Sequence, residues 1–210
     1  LKVGLELYIK LGSAFIKELK KLGFKVFLDL KLHDIPNTVC KAIEATLETG
    51  ADLLTIHALG GKKMLTEAQL VTEKSNLKLL AVTILTSHDS KDIEMLSKHF
   101  LGSEKERIKI VESLIQTAFS SNIPGVVCSA PDLMHSSLIQ NNQGKYFVTP
   151  GIRNQNDLSN DQKSIATVSE AIRAGATHLV MGRPILQPVK GDRVSAAKII
   201  LNEIEIACAI

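Results

Sequence analysis

The stretch "FLDLKLHDIPNT", Phe27–Thr38, sets an apolar run directly against a cluster of charges. Val26 to Leu28 is apolar and rich in strand formers, which predicts a buried β-strand. That strand runs straight into Asp29, Lys31, His33 and Asp34, and then into Pro36. Asp29 and Lys31 are two apart, so on a strand they face the same side. An isolated buried charge is costly, and alternating acid and base offset each other. Asp34 lies beyond the strand end, in the turn before a helix that Pro36 is suited to begin. Taken alone, the spacing fits either a salt-bridge network capping the strand or a set of groups placed for chemistry.

On both sides of this stretch the same local grammar recurs: a helical segment, a Gly, then a short β-rich run. It is present in "KKLGFKVFLDL", "LETGADLLTIHA" and "RAGATHLVMGR", and more loosely in "SSNIPGVVCSA". Glycine at a helix C-terminus with an apolar run behind it is αβ-loop chemistry. The apolar runs fall near 1–5, 25–30, 53–57, 79–84, 125–129, 146–149 and 178–182. Between them, Ser13 is placed to cap a helix with Phe15, Leu19 and Leu22 on one face. Another starts at Pro36, with Val39, Ile43 and Thr46/Leu47 at helical spacing before Gly50. Strands buried on both faces and alternating with helices are parallel.

The fold class expected is therefore α/β: seven strands would suit a doubly wound sheet, while a (β/α)8 TIM barrel, the reading preferred, needs one more, for which the abrupt start leaves a place. The chain supplies seven strand-like runs and opens "LKVGLELY", without Met and inside an apolar run. The expectation is that the first strand is missing, and 210 residues against about 250 for a typical barrel agree with that. Residues 1–210 read as one catalytic domain, N-terminally incomplete. Residues 87–107 read as a long polar loop with a helical insert, and 153–163 as a second polar loop.

Hydrophobic residues make up 45% and charged residues 22%, the balance of a globular protein. A net charge of +3 without a Lys/Arg block gives no sign of a nucleic-acid or anionic-membrane partner. No apolar run reaches the ~18 residues of a membrane span, and no signal peptide is visible, so a cytoplasmic enzyme is expected. Cys40, Cys128 and Cys208 stand far apart with no metal-ligand spacing. The histidines also lack such spacing, so no metal site is expected. His33 and His57 read as hydrogen-bonded supports beside the site.

In a parallel barrel the chemistry sits at the C-terminal ends of the strands. The unusual polar residues fall there: Asp29 and Lys31, His57, Thr83 and Thr86, Thr149 and Arg153, Gly182 and Arg183. "VTPGIRNQNDLSNDQ" and "VMGRPI" follow the last two strands, where barrels commonly bind phosphate. Glycine N–H groups and an arginine fork suit a phosphate dianion.

These motifs resemble the orotidine 5'-phosphate decarboxylase family in its bacterial form. The resemblance rests on "FLDLKLHDIPNTV", with its Asp-x-Lys-x-x-Asp spacing, on "LKVG" at the start, and on "AVTILTS", "GVVCSA", "VTPGIR", "DQ" at 161–162 and "GRPI". The motifs keep the family's order and span nearly the whole chain.

The resemblance implies decarboxylation of orotidine 5'-monophosphate to uridine 5'-monophosphate in pyrimidine biosynthesis, with no metal and no organic cofactor. It implies that Lys31 is the proton donor to C6 of the pyrimidine, Asp29 the acid beside the substrate carboxylate, and Lys2 the link from Asp29 to the ribose. Asp34 resembles the acid that reaches the partner's site in a homodimer, with Ile35 and Thr38 beside it. Thr86 resembles the pyrimidine contact. Arg153, Gln162, Gly182 and Arg183 resemble the phosphate set. Relatives that share Asp-x-Lys-x-x-Asp also include metal-dependent sugar-phosphate lyases, of the 3-keto-gulonate 6-phosphate decarboxylase or hexulose phosphate synthase type, and these are the alternative. A barrel that binds nucleotides without catalysis is a further one, which the intact Asp29, Lys31 and Asp34 set argues against.

Overall fold

Four of the apolar runs form a parallel ladder in chain order: β1 (Lys2–Gly4), β2 (Phe27–Leu32), β3 (Leu53–His57) and β4 (Lys78–Val82). Val3 pairs with Leu28, Leu28 with Leu54, and Leu54 with Leu79. All four side chains are buried and form one in-register row of the core. The structure is a computed structural model that describes residues 1–88, 92, 104–136, 142–153, 165–189 and 191–209. The chain divides into two units, one of Leu1–Thr83 with Ser113–Val126, the other of Ile84–Glu112 with Val127–Ile210.

In the first unit, α1 (Leu5–Lys21), α2 (Pro36–Leu47) and α3 (Gly61–Thr72) alternate with the strands. They bury Ile16 and Leu19, Val39 and Ile43, and Met64, Leu65 and Ala68. Each large aliphatic side chain fully buried in this way contributes about 1.5–3 kcal/mol. The α1 helix ends as its sequence foretells. Gly23 sits at φ +85°, its N–H reaches Lys20 O, and the Phe24 N–H reaches Leu19 O, which together make a Schellman cap. The looser "SSNIPG" version closes in the same way, with Asn122 rather than a glycine at φ +61°.

Three local expectations are corrected. The run at 1–5 is a strand only to Gly4, and helix begins at Leu5. Helix also precedes Ser13: two helical segments meet at a break at Gly12 (φ +66°), and Ser13 stands at the start of the second rather than at the start of α1. The buried face is Ile16 and Leu19, while Leu22 is 72% exposed because it lies on the cap, past the last helical residue.

At the N-terminal ends of the strands Asp52 ties three segments together. It accepts from Lys20 Nζ at 2.5 Å, from the Val26 N–H at 2.7 Å, and pairs with Lys25 at 3.3 Å. Partial burial raises its pKa, and the hydrogen bonds from Lys20, Val26 and Lys25 outweigh that, so its carboxyl lies below the usual range.

In the second unit, β6 (Tyr146–Thr149) pairs in parallel with β7 (His178–Leu179). β5 (Gly125–Val127) begins in the first unit and runs on to Cys128 in the second, whose N–H reaches Val148 O. The helices are α4 (Glu104–Ser120, which begins in this unit), α5 (Ala130–Met134), α6 (Val168–Arg173), α7 (Arg183–Leu186) and α8 (Arg193–Cys208). A core of Ala130, Ile152, Ala166, Val168, Ala171 and Ile200 joins α5, α6, α8 and the segment after β6. Thr167 and Glu170 form a reciprocal capping box, and Asp192 caps α8. Most of the expected 87–107 loop and of the 153–163 loop, including Gln162, lies outside the described residues. Among the described residues no helix is long and apolar enough to cross a membrane.

Candidate functional site

The ladder between β2 and β3 is irregular where the charges stand. Leu28 pairs with Leu54 and Leu32 with Ile56, so four steps along β2 match two along β3. The intervening Asp29, Leu30 and Lys31 form a bulge, and Lys31 takes φ +49°. That is left-handed backbone, disfavoured for any residue with a Cβ and costing of order 1–2 kcal/mol. Bulges re-aim side chains beside active sites.

Asp29 is the hub. Its side chain is 12% exposed. Oδ1 accepts from Lys31 Nζ at 2.8 Å and from Thr55 Oγ1 at 2.9 Å; Oδ2 accepts from Lys2 Nζ at 2.9 Å. Thr55 Oγ1 in turn accepts the Lys31 N–H at 2.8 Å. Burial pushes the Asp29 carboxyl up, but the ammonium hydrogen bonds of Lys31 and Lys2 prevail and hold it below the ordinary carboxylate range. The site is thus an ionised acid between two cations, each about a third exposed. His33 and His57 stack beside it with centroids 5.1 Å apart.

The structure brings Lys2, Asp29 and Lys31 together, contributed by β1 and β2. It does not bring Asp34 to them. Asp34 is exposed at the start of α2, its Oδ1 accepts the Ile35 N–H at 2.7 Å, and among the described residues it forms no ion pair. Ile35 is 68% exposed and Thr38 is exposed too. Thr55 was missed by the sequence reasoning. The available signal was alternation on β3: Leu53, Thr55 and His57 share one side, so a polar residue in an apolar strand points the same way as the terminal histidine.

In the second unit, Arg153 and the Gly182-Arg183 pair follow adjacent parallel strands, β6 and β7, at the same end. The backbone after β6 is fixed by a bridge between Ile152 and Ala166, with the Arg153 N–H on Ala166 O at 2.9 Å. The Arg153 side chain is buried and donates to Ile152 O at 2.8 Å. Arg183 opens α7 half-buried. Thr86 lies in a turn closed by the His88 N–H on Leu85 O. Arg107 braces that turn by donating to His88 O at 3.1 Å, and is itself held by a buried, two-pronged pair with Asp132 at 2.9 and 3.0 Å.

The model for the orotidine 5'-phosphate decarboxylase / HUMPS family matches residues 1–200. An orotidine 5'-phosphate decarboxylase of Aliivibrio salmonicida (strain LFI1238) is 40% identical over 214 residues, covering 100% of this chain and 86% of that protein. One of Nitrosomonas eutropha (strain DSM 101675 / C91 / Nm57) is 44% identical over 187 residues, covering 88% and 78%. The crystal structure of orotidine 5'-phosphate decarboxylase from Lactobacillus acidophilus superposes with a TM-score of 0.77 at 35% identity, covering 97% of this chain and 85% of that one. The fold is accordingly of the α/β class, a (β/α)8 barrel, rather than the doubly wound sheet that the alternation of parallel strands and helices also allowed.

Proposed function

The chain belongs to the orotidine 5'-phosphate decarboxylase / HUMPS family, and from that premise we propose that it is a carboxy-lyase converting orotidine 5'-monophosphate to uridine 5'-monophosphate in pyrimidine biosynthesis. The observation that carries the reading is the Lys31 ammonium, fixed at 2.8 Å on an ionised Asp29 at a strand end. It occurs in a chain whose curated relatives at 40–44% identity are named for this decarboxylation.

The chemical difficulty is a carbanion at C6 of a pyrimidine, with no adjacent carbonyl or imine to take up charge. When the bond from C6 to the carboxylate breaks, carbon dioxide leaves and the electron pair stays on C6. A preorganised cation beside C6 stabilises that charge as it develops. Lys31 Nζ then gives C6 a proton, and the resulting amine recovers one from solvent, which its partial exposure permits. Asp29 keeps the ammonium charged and aimed, and puts negative charge next to the departing carboxylate. Lys2 balances Asp29 and reaches the ribose.

Arg153, Gln162, Gly182 and Arg183 hold the phosphate, and Thr86 the pyrimidine. Contacts far from C6 let binding energy be used at the reacting centre. The exposed Asp34, with Ile35 and Thr38, serves the site of a second copy in a cytoplasmic homodimer. That assignment is supported by its surface position at the start of α2 and its lack of an ion pair within its own chain, among the described residues.

The reaction so written takes no metal and no organic cofactor. The test is formation of uridine monophosphate from orotidine monophosphate with a chelator present. Undiminished turnover is the expected result. Activity lost to chelator and restored by a divalent metal would instead favour the sugar-phosphate lyases of the same family.

A further inference from the structure

We infer that Thr55 is a positioning residue for this reaction, its hydroxyl coupling the main chain of Lys31 to the carboxylate of Asp29. The inference rests on the reading of Lys31 as proton donor.

Thr55 is fully buried in the middle of β3, between Leu54 and Ile56. A valine there would satisfy strand propensity and packing equally well, so the hydroxyl calls for its own explanation. An ionised carboxylate only accepts hydrogen bonds. The hydroxyl proton must therefore go to Asp29 Oδ1, at 2.9 Å, which leaves a lone pair for the Lys31 N–H at 2.8 Å. Both bonds fall where the β2–β3 register slips, and the left-handed Lys31 backbone lies in that same slip.

One buried oxygen thus fastens Lys31 at its main chain and, through Asp29, at its ammonium 2.8 Å away. The charged groups facing Asp29 are Lys2 from β1 and Lys31 from its own strand, with Thr55 the neutral donor from β3. Among the described contacts Lys2 reaches Asp29 and not the Lys31 main chain, so Thr55 is the contact that converts a bulge into a fixed ammonium position.

The test compares Thr55→Val, which keeps shape and removes both bonds, with Thr55→Ser, which keeps the hydroxyl. For Thr55→Val, kcat is expected to fall about 10- to 100-fold with KM changed less than about threefold, the size of a lost hydrogen bond to a charged group. The acid limb of its kcat/KM profile moves to higher pH, because Asp29 has lost a donor. Thr55→Ser is expected to keep kcat within about threefold and the acid limb in place.

Parental kcat and an unmoved limb in Thr55→Val, or a Thr55→Ser as slow as Thr55→Val, would overturn the inference. Should Thr55→Val not fold, Thr55→Ala carries the same comparison. A Lys31→Ala control separates the two readings. Turnover by Lys31→Ala sinks the role of Lys31 itself; a silent Lys31→Ala beside a parental Thr55→Val sinks only the role of Thr55.

Discussion

Replacing Asp29 with Asn changes one atom of the hub and makes its hydrogen bonding impossible to satisfy. In the parent, Oδ1 serves Lys31 and Thr55 while Oδ2 serves Lys2. An amide has one oxygen, so its NH2 must face one of the two ammonium groups, donor against donor. That cation loses its bond, worth about 1.5–3 kcal/mol when charge-assisted. The other keeps a neutral acceptor, at roughly half the strength. Both lysines are about a third exposed, and solvent reduces the total, leaving about 2–3 kcal/mol. At 1.36 kcal/mol per decade, kcat/KM should drop roughly 30- to 150-fold. The assay is steady-state decarboxylation, with a thermal melt to confirm folding. Acid unfolding supplies a second readout. The folded pKa of Asp29 is depressed, so its contribution is complete above the unfolded value of about 3.9 and fades as pH falls through the folded pKa. Asp29→Asn should lack that component. A variant within about threefold of parental kcat/KM, with the parent's acid profile, would refute the view that Asp29 fixes Lys31.

Further outcomes follow from the same contacts. Asp52→Asn, at the opposite ends of the strands, should lower Tm by ~2–12 °C, from about 1–3 kcal/mol in a chain of this size, yet leave kcat/KM unchanged; a loss of activity in folded enzyme would contradict the division of labour between strand ends. Arg107→Met should destabilise by about 3–5 kcal/mol by stranding buried Asp132, and Arg107→Met with Asp132→Leu should recover part of that, as chemical denaturation would show; equal stability of the single and double variants would argue against the pair. Mixing inactive Lys31→Ala and Asp34→Ala subunits should restore some turnover if Asp34 serves a second copy, whereas no restoration would keep Asp34 within its own chain.

Legibility followed the range of the interactions. β3 and β6 coincide with their apolar runs because local pattern and burial agree. The closeness of Asp29 and Lys31 followed from their two-residue spacing, but the bulge that sets their geometry did not, since it depends on register against β3. The Lys2–Asp29 contact spans 27 residues and has no local signature; only the resemblance anticipated it. Thr55 reads as an ordinary strand residue until its hydroxyl is seen between Asp29 and Lys31. The error at Leu22 came from extending helical periodicity across a cap whose Gly23 was already visible in the sequence.

The most direct test is a single turnover of orotidine monophosphate, labelled in its carboxyl group, on Lys31→Ala. The account predicts that the nucleotide still binds while the label stays on the pyrimidine. Release of labelled carbon dioxide at a rate near the parent's would contradict it, because the ammonium held by Asp29 would then not be what makes the C6 carbanion accessible.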